Sequence, residues 1–153
     1  MEARIENRME YRDAIHADAP LLATINQRLI DDEWGGGGMS RERLEQRIHG
    51  WIDDDDYRAL LFREADSDVA YALVSLDDDS AYIRHFFVMD EHRGGGAGRR
   101  ALDLLMRDII PQTARVTLDV LSSNTGGHAF WRSMGFTDYS VRMERPPRLP
   151  TPA

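Results

Sequence analysis

A glycine-rich run near the middle of this 153-residue chain constrains its fold more than any other feature. The run spans His92–Arg100, between an apolar stretch, Tyr82–Val88, and a segment with helical periodicity, Ala101–Ile110. A strand that leads through a glycine turn into a helix presents unpaired backbone N–H groups at an electropositive helix start. Glycines let this bare backbone approach an anion. Three arginines in the run add positive charge, so the sequence predicts a binding site for a phosphorylated ligand.

Apolar periodicity and turn residues predict the elements around this run. The predicted strands are Arg4–Tyr11, Tyr57–Arg63, Val69–Leu76, Tyr82–Val88, Val116–Leu121 and Phe136–Met143. Four helices are predicted. The first begins at Asp18-x-Pro20 and the second follows an N-cap on Ser40, while the third and fourth span Arg99–Ile110 and Thr125–Met134. This order predicts a mixed α/β or α+β domain over residues 1–145. Four prolines in the last eight residues predict a disordered tail over 146–153.

Composition excludes several classes of function. The chain has no cysteine, which rules out disulfides, thiolate metal sites and a cysteine nucleophile. Its formal net charge of -8 argues against nucleic-acid binding. No run is apolar and long enough to cross a membrane, and the histidines lack metal-ligand spacing. We therefore expect a cytoplasmic protein with no metal, no nucleic-acid partner and no membrane partner.

Two familiar phosphate-binding patterns fit the glycine run poorly. The Walker A pattern ends in Gly-Lys-Ser/Thr, whereas Gly98 is followed by Arg99 and Arg100. The Rossmann fingerprint belongs to an early βαβ unit, whereas this run lies in the middle of the chain.

A third pattern fits, and it extends beyond the run. Arg93–Gly98 matches Arg/Gln-x-x-Gly-x-Gly/Ala, and Asn124–Phe136 is similar to Asn-x-x-Ala-x-x-Phe-Tyr-x-x-x-Gly-Phe. Together these stretches resemble the GCN5-related N-acetyltransferase (GNAT) family. The resemblance implies a mixed, mostly antiparallel sheet of six to seven strands with four helices, splayed between the fourth and fifth strands. It also implies transfer of acetyl from acetyl-CoA to a primary amine.

The resemblance assigns the cofactor contacts residue by residue. Backbone of the bulged fourth strand would meet the pantetheine arm, an N–H near Val88 would polarise the thioester carbonyl, and the glycine run would hold the pyrophosphate. The implied cofactor-binding residues are Phe86, Phe87, Val88, Arg93, Gly94, Gly95, Gly96, Ala97, Gly98, Arg99, Asn124, Phe130 and Trp131.

The chain departs from the family pattern at three positions. Gly127 replaces the usual alanine, which weakens the helix slightly. Trp131 stands where many members have a tyrosine that protonates the leaving thiolate, and an indole N–H cannot do this. Arg84 stands where several members have a glutamate base, and an arginine cannot accept a proton there.

The general base must therefore come from elsewhere, and two candidates are predicted. Asp119 lies five residues before Asn124, which resembles the position of the acidic base in ribosomal-protein N-terminal acetyltransferases. Its alternative is an ordinary polar position on a strand. His85 is the second candidate, with the alternative that it lies in the core or faces away because Arg84 faces the cleft. Tyr82 and Tyr139 are candidate acids, although the thiolate could also leave unaided or take its proton from water.

Several functional questions stay open at this level. The alternatives to an N-acetyltransferase are a non-catalytic acyl-CoA-binding or sensor module of the same fold and a nucleotide-binding domain of another class. The acidic chain favours a cationic amine or a basic peptide N-terminus as acceptor, whereas Arg84 favours an acceptor with a carboxylate. A homodimer is left open. The segment Gly35–Gly38 is either a lid over the acceptor or a plain linker, and Trp51 either lines the acceptor pocket or packs in the core.

Overall fold

The computed structural model describes residues 8–34 and 38–151, and these contain five β-strands and four α-helices. The strands are β1 Glu10–Asp13, β2 Tyr57–Glu64, β3 Ser67–Leu76, β4 Ser80–Val88 and β5 Arg115–Thr117. The helices are α1 Ala19–Trp34, α2 Arg41–Asp53, α3 Ala97–Leu104 and α4 Thr125–Ser133. This is the mixed α+β architecture that the sequence predicts.

The five strands form one mixed sheet in the order β1-β2-β3-β4-β5. The first four are antiparallel neighbours, and β5 is parallel to β4 because the chain crosses over through α3. The ladder between β4 and β5 has three pairs and ends at Tyr82 and Thr117, whereas β4 runs on to Val88.

Helices cover both faces of this sheet. Residues 69–74 of the central strand β3 are all buried, because the strand is covered on both sides. Tyr71 and Leu73 face a core cluster that includes Leu22 of α1 and Ile48 of α2. The alternate β3 residues face the other side of the sheet, where α3 contacts β3 and β4. The connection from the end of β4 to the start of α3 therefore leads from the sheet to the helix that packs on this second face.

The predicted helix starts and ends agree closely with the structure. Ser40 caps α2, since its hydroxyl accepts a hydrogen bond from the Arg43 N–H at 3.3 Å. The helix predicted over Arg99–Ile110 begins two residues earlier and ends in a π-helical turn, Leu105–Ile109. The predicted loop at Gly35–Gly38 lies mostly outside the described residues, as does the start of the first predicted strand.

The expected strand count of six to seven is wrong. Phe136–Met143, predicted as the last strand, forms no strand in the described part of the chain. Tyr139, Val141 and Met143 are 76%, 80% and 89% exposed, so their alternation does not correspond to a buried face. The strand predicted over Val116–Leu121 is also shorter, because its pairing with β4 stops at Thr117.

The chain divides into two compact units, Met1–Leu121 and Ser122–Ala153. The first contains the sheet and α1 to α3, and the second contains α4. The single domain over 1–145 and the disordered tail over 146–153 remain predictions.

Candidate functional site

The glycine run forms the connection between β4 and α3. After a short 3-10 turn, Asp90–His92, the chain turns at Gly94 and Gly96, whose φ angles are +83° and +82°. Gly96 is the N-cap of α3 and provides no side-chain hydrogen bond to the helix. The first N–H groups of α3 therefore have no partner within the helix or from a capping side chain. This arrangement provides backbone donors for an anion.

The surface of this loop is open. A Cβ built on Gly94 or Gly95 would meet no atom within 4 Å, so a ligand has room to approach the backbone there. Gly96 differs, because a Cβ would lie 3.0 Å from Nη1 of Arg100.

Two arginines of the run hold the loop in shape. The Arg93 Nε–H donates to the Val88 carbonyl at 3.0 Å, and the Arg93 guanidinium lies 5.0 Å from the centre of the Phe87 ring. The Arg100 Nη1–H donates to the Gly95 carbonyl at 2.9 Å, and its guanidinium pairs with Glu64. These arginines therefore contribute to loop geometry as well as to positive charge.

The end of β4 leaves one N–H turned away from β3. Met89 donates its N–H to the Val69 carbonyl at 2.8 Å, so it bonds across to β3. Because successive N–H groups of a strand point to opposite edges, the Val88 N–H points away from β3. The Val88 carbonyl lies on that same side and accepts from Arg93. The Val88 N–H therefore lies at the edge of β4, beyond the ladder with β5, where it can donate a hydrogen bond to a ligand.

A β-bulge at Arg84 brings the side chains of Arg84 and His85 toward the same residue. Leu73 of β3 pairs with His85, and the next residue, Val74, pairs with Ile83, so Arg84 is an extra residue on β4. In a regular strand Arg84 and His85 would lie on opposite faces. Both instead contact Trp51: the Arg84 Cζ lies 5.3 Å from the indole centroid, and the His85 ring centroid also lies 5.3 Å away. The alternative in which His85 faces away because Arg84 faces the cleft does not match this arrangement, since both side chains lie against the same ring.

His85 sits in a mostly buried setting. Its Nδ1 is 3.4 Å from the hydroxyl of the buried Tyr71. Burial, together with the positive charges of Arg84 and Arg47, lowers the pKa of His85 to about 4. The imidazole is consequently neutral at pH 7.

Tyr82 and Asp119 lie together where the β4–β5 ladder ends. The Tyr82 hydroxyl donates a hydrogen bond of 2.6 Å to Oδ2 of Asp119, two residues beyond the end of β5. Both residues were candidates from the sequence, Tyr82 as an acid and Asp119 as a base, and the fold brings them into contact. Asp119 is exposed, so a small molecule can reach its carboxylate.

In the second unit, Asn124 and Gly127 define the start of α4. The Asn124 Oδ1 accepts a hydrogen bond from the Gly127 N–H at 2.9 Å and so caps the helix. A Cβ on Gly127 would lie 2.5 Å from the Asn124 Nδ2. Glycine in place of the usual alanine therefore matches the position of the Asn124 side chain.

The end of α4 explains the aromatic part of the second sequence pattern. The Gly135 N–H bonds to the Arg132 carbonyl and the Phe136 N–H to the Trp131 carbonyl, which is a Schellman motif with Gly135 at a φ of +94°. The Trp131 ring packs against the Phe136 and Phe130 rings, with centroids 5.2 Å and 5.0 Å away. Trp131 thus has a packing role at this helix end.

Arg47 is a residue of this surface that the sequence interpretation missed. It lies four residues before Trp51 on α2, and its Cζ is 4.6 Å from the indole centroid. The (i, i+4) spacing of an arginine and a tryptophan on one helix was the available signal.

Comparison with known proteins agrees with this fold. Residues 26–136 match the sequence model described as the acetyltransferase (GNAT) family. The chain therefore belongs to the GNAT acetyltransferase family. No curated protein matches the chain significantly in sequence.

Solved structures of acetyltransferases share the fold. An acetyltransferase from Thermus thermophilus superposes with a TM-score of 0.73 at 21% identity, covering 86% of this chain and 88% of that one. A predicted acetyltransferase from Clostridium acetobutylicum, solved with acetyl-CoA, has a TM-score of 0.70 at 20% identity, with coverages of 90% and 96%. An aminoglycoside antibiotic 6'-N-acetyltransferase from Acinetobacter baumannii has a TM-score of 0.67 at 16% identity, with coverages of 92% and 99%.

Within residues 8–34 and 38–151, no helix combines the length and apolar character needed to cross a bilayer.

Proposed function

We propose that this protein is an N-acetyltransferase that moves an acetyl group from acetyl-CoA to a primary amine by direct attack in a ternary complex. The observation that carries the proposal is the glycine loop, which connects the end of β4, beyond its described ladder with β5, to an N-terminus of α3 without a capping side chain. Membership of the GNAT family supports the same reaction. Among the structural neighbours, one was solved with acetyl-CoA and another is named as acetylating an aminoglycoside.

The described residues fit acetyl-CoA at this loop. The backbone N–H groups of Gly94–Arg99 suit the pyrophosphate, because positive φ angles and an absent capping side chain leave them open. The backbone of Phe86–Val88 suits the pantetheine arm, and the Val88 N–H is a donor for the carbonyl oxygen. When bound, acetyl-CoA supplies the thioester whose C–S bond breaks as the amine nitrogen forms a C–N bond to the acetyl carbon.

We assign the general base to Asp119. An amine with a pKa of about 10 is only about 0.1% neutral at pH 7, so its deprotonation costs about 4 kcal/mol. The Asp119 carboxylate is exposed beside the end of the β4–β5 ladder, and it can accept this proton directly or through water. The Tyr82 hydroxyl holds one carboxylate oxygen by its 2.6 Å hydrogen bond and orients the group.

His85 is less suited to this task. A base gains positive charge when it takes a proton, and the cations Arg84 and Arg47 oppose that charge at His85. The proton needed by the sulfur then comes from water or from Tyr82. Direct attack needs no cysteine, and the chain has none.

The cofactor roles of Asn124, Phe130 and Trp131 remain predictions. Their backbone and ring contacts within the second unit account for the helix ends of α4, and a cofactor role needs its own measurement.

Isothermal titration calorimetry with acetyl-CoA, CoA and ATP tests the cofactor assignment. We expect saturable binding of acetyl-CoA in the micromolar to millimolar range, and weaker binding of ATP. Absence of heat with acetyl-CoA and CoA would overturn the proposal.

A thiol-release assay with a panel of primary amines tests catalysis. Amine-dependent release of CoA, with the N-acetyl product identified by mass spectrometry, is the expected result. Acetyl-CoA binding without CoA release for any amine would instead assign the protein to a non-catalytic acyl-CoA-binding module.

A further inference from the structure

Two arginines from different elements meet at one tryptophan. Arg47 of α2 and Arg84 of β4 lie with their guanidinium carbons 4.6 Å and 5.3 Å from the centre of the Trp51 ring. The indole is half-buried and packs against the main core cluster, whereas both arginines are exposed. The core thus fixes the aromatic ring, and the ring gives both cations a surface to lie on.

The bulge is what creates this arrangement. As an extra residue on β4, Arg84 is not held to strict alternation, and it shares Trp51 with its neighbour His85. Arg47 reaches the same ring from the preceding helix turn of α2. Three side chains around one indole therefore come from two elements that are far apart in sequence.

Ion pairing is the next feature of this cluster. In the described part of the chain neither Arg47 nor Arg84 forms an ion pair with a carboxylate. This is not for lack of acids, since the chain has 27 acidic residues against 19 basic ones. Arg58, by comparison, pairs with Asp13 at 2.8 Å.

The surroundings are neutral or repulsive toward further positive charge. Burial lowers the pKa of Arg47, and the charge of Arg84 lowers it further. His85 beside them is neutral at pH 7, for the reasons given above. An anion bound between the guanidinium groups would relieve their mutual repulsion, and charge-assisted hydrogen bonds to it would be strong.

The cluster adjoins the proposed reaction centre along the strand. Arg84 precedes Phe86 by two residues, and Phe86–Val88 is the stretch to which the proposed function assigns the pantetheine arm. A group bound at Arg84 would therefore lie near the reacting end of that arm. We propose that Arg47 and Arg84, seated on Trp51, bind an oxyanion carried by the acceptor, so that the substrate is a small primary amine bearing a carboxylate or a phosphate. This inference rests on the proposed function and narrows its acceptor class.

Matched acceptors in the thiol-release assay test the proposal and separate the two oxyanions. Phenylalanine, phenylalanine amide and phenethylamine differ in the carboxylate, and O-phosphoethanolamine and ethanolamine differ in the phosphate. Spermidine represents the cationic alternative. We expect at least one oxyanion-bearing amine to have a kcat/KM about tenfold or more above its neutral or cationic partner, and the responding pair identifies the oxyanion.

The variants Arg47→Gln and Arg84→Gln then locate the subsite. Each should raise the KM for the preferred acceptor about ten- to a hundredfold, while the Kd for acetyl-CoA stays unchanged. Arg43→Gln is the matched control, since Arg43 is an exposed arginine one turn earlier on α2 and should have no effect.

Three results of the kinetic and variant experiments would overturn the proposal. The first is a preference for spermidine or for the amines without an oxyanion. The second is an unchanged KM for the acceptor in both variants. The third is a raised Kd for acetyl-CoA in the variants, which would assign the arginines to cofactor binding. If acetyl-CoA binds but calorimetry with the loaded protein detects no oxyanion-bearing amine, the subsite assignment is wrong and the cofactor assignment stands. If acetyl-CoA itself does not bind, the proposed function fails.

Discussion

Gly96 carries two constraints at one residue. Its φ is +82°, a region that costs residues with a Cβ about 1–2 kcal/mol, and a Cβ there would lie 3.0 Å from the Arg100 side chain. We expect Gly96→Ala to lower the free energy of unfolding by about 1–2 kcal/mol and to weaken acetyl-CoA binding. Urea denaturation and calorimetry measure the two effects.

Gly95→Ala is the control for this substitution. A Cβ on Gly95 meets nothing within 4 Å, and its φ lies outside the left-handed region. Its free energy of unfolding should change by less than about 0.5 kcal/mol. Equal stability of the two variants would contradict the argument from backbone conformation.

Asp119 is the residue on which the proposed chemistry depends. Asp119→Asn keeps the shape and can still accept the Tyr82 hydrogen bond, but it removes the proton acceptor. We expect kcat to fall about a hundredfold or more with the Kd for acetyl-CoA unchanged. Tyr82→Phe should cause a smaller fall in kcat, since it leaves the carboxylate in place and water can still supply the proton to the sulfur.

Asp55→Asn is the control for the loss of one negative charge, because Asp55 is exposed and distant in sequence from Asp119. A kcat for Asp119→Asn within about twofold of the wild type would rule out Asp119 as the base. The same kcat measurement on His85→Gln tests the second predicted base, and we expect a smaller fall than in Asp119→Asn.

Sequence reasoning at this scale succeeds where a residue acts within its own short segment of the chain. Ser40 as a cap and the turns at Gly94 and Gly96 follow from local conformational preferences. It did not bring Arg84 and His85 to one indole, because the resemblance implies a bulge in the fourth strand without giving its position or the side chains that it turns.

At the scale of elements, α4 shows how a cap constrains a helix residue. Asn124→Ala should lower the free energy of unfolding of α4 by about 1 kcal/mol through loss of the bond to the Gly127 N–H, and Asn124→Ser should restore much of it. Gly127→Ala should gain little in the wild type, because its Cβ would push Asn124 off the cap.

A double-mutant cycle separates these effects. In the Asn124→Ala background no Asn124 side chain lies against the new Cβ. Gly127→Ala should then raise the free energy of unfolding by about 1 kcal/mol. Gly126→Ala, with open space at its Cβ, should be indifferent to residue 124. Additive effects of the substitutions at 124 and 127 in urea denaturation would contradict this picture.

The strand elements were only partly predictable. The β2–β3–β4 meander was found because its apolar runs and turns are strong local signals. The strand predicted over Phe136–Met143 failed because Phe136 instead closes the end of α4, and the alternating residues after it stay exposed. A period of two predicts a strand only where a partner and a buried face exist.

At the scale of the whole molecule, His85 makes folding stability depend on pH. Its pKa is about 4 when folded and about 6.5 when unfolded, so between these values the unfolded chain binds more protons. The contribution of His85 to the free energy of unfolding is therefore fully present above about pH 6.5, and about 3 kcal/mol of it is lost as the pH falls to 4. The charges facing His85 are Arg84 and Arg47, and both oppose its protonation.

His85→Gln should flatten this part of the stability profile, as measured by urea denaturation between pH 7 and pH 4. The Asp18 carboxyl titrates in a lower window, because its hydrogen bond with Arg12 lowers its pKa below the usual 3.8. A variant with the same slope as the wild type between pH 6.5 and 4 would show that His85 is not the group responsible.

The sequence by itself determined the glycine loop, the ends of the helices, the α+β class and the family resemblance. All of these depend on residues that are neighbours along the chain and on the conformations those residues prefer. Only the tertiary structure decided the contacts of Tyr82 with Asp119 and of Arg47 and Arg84 with Trp51. Such contacts depend on strand register, on one extra residue in β4 and on the packing of α2 over the sheet, and these arise only when distant segments meet.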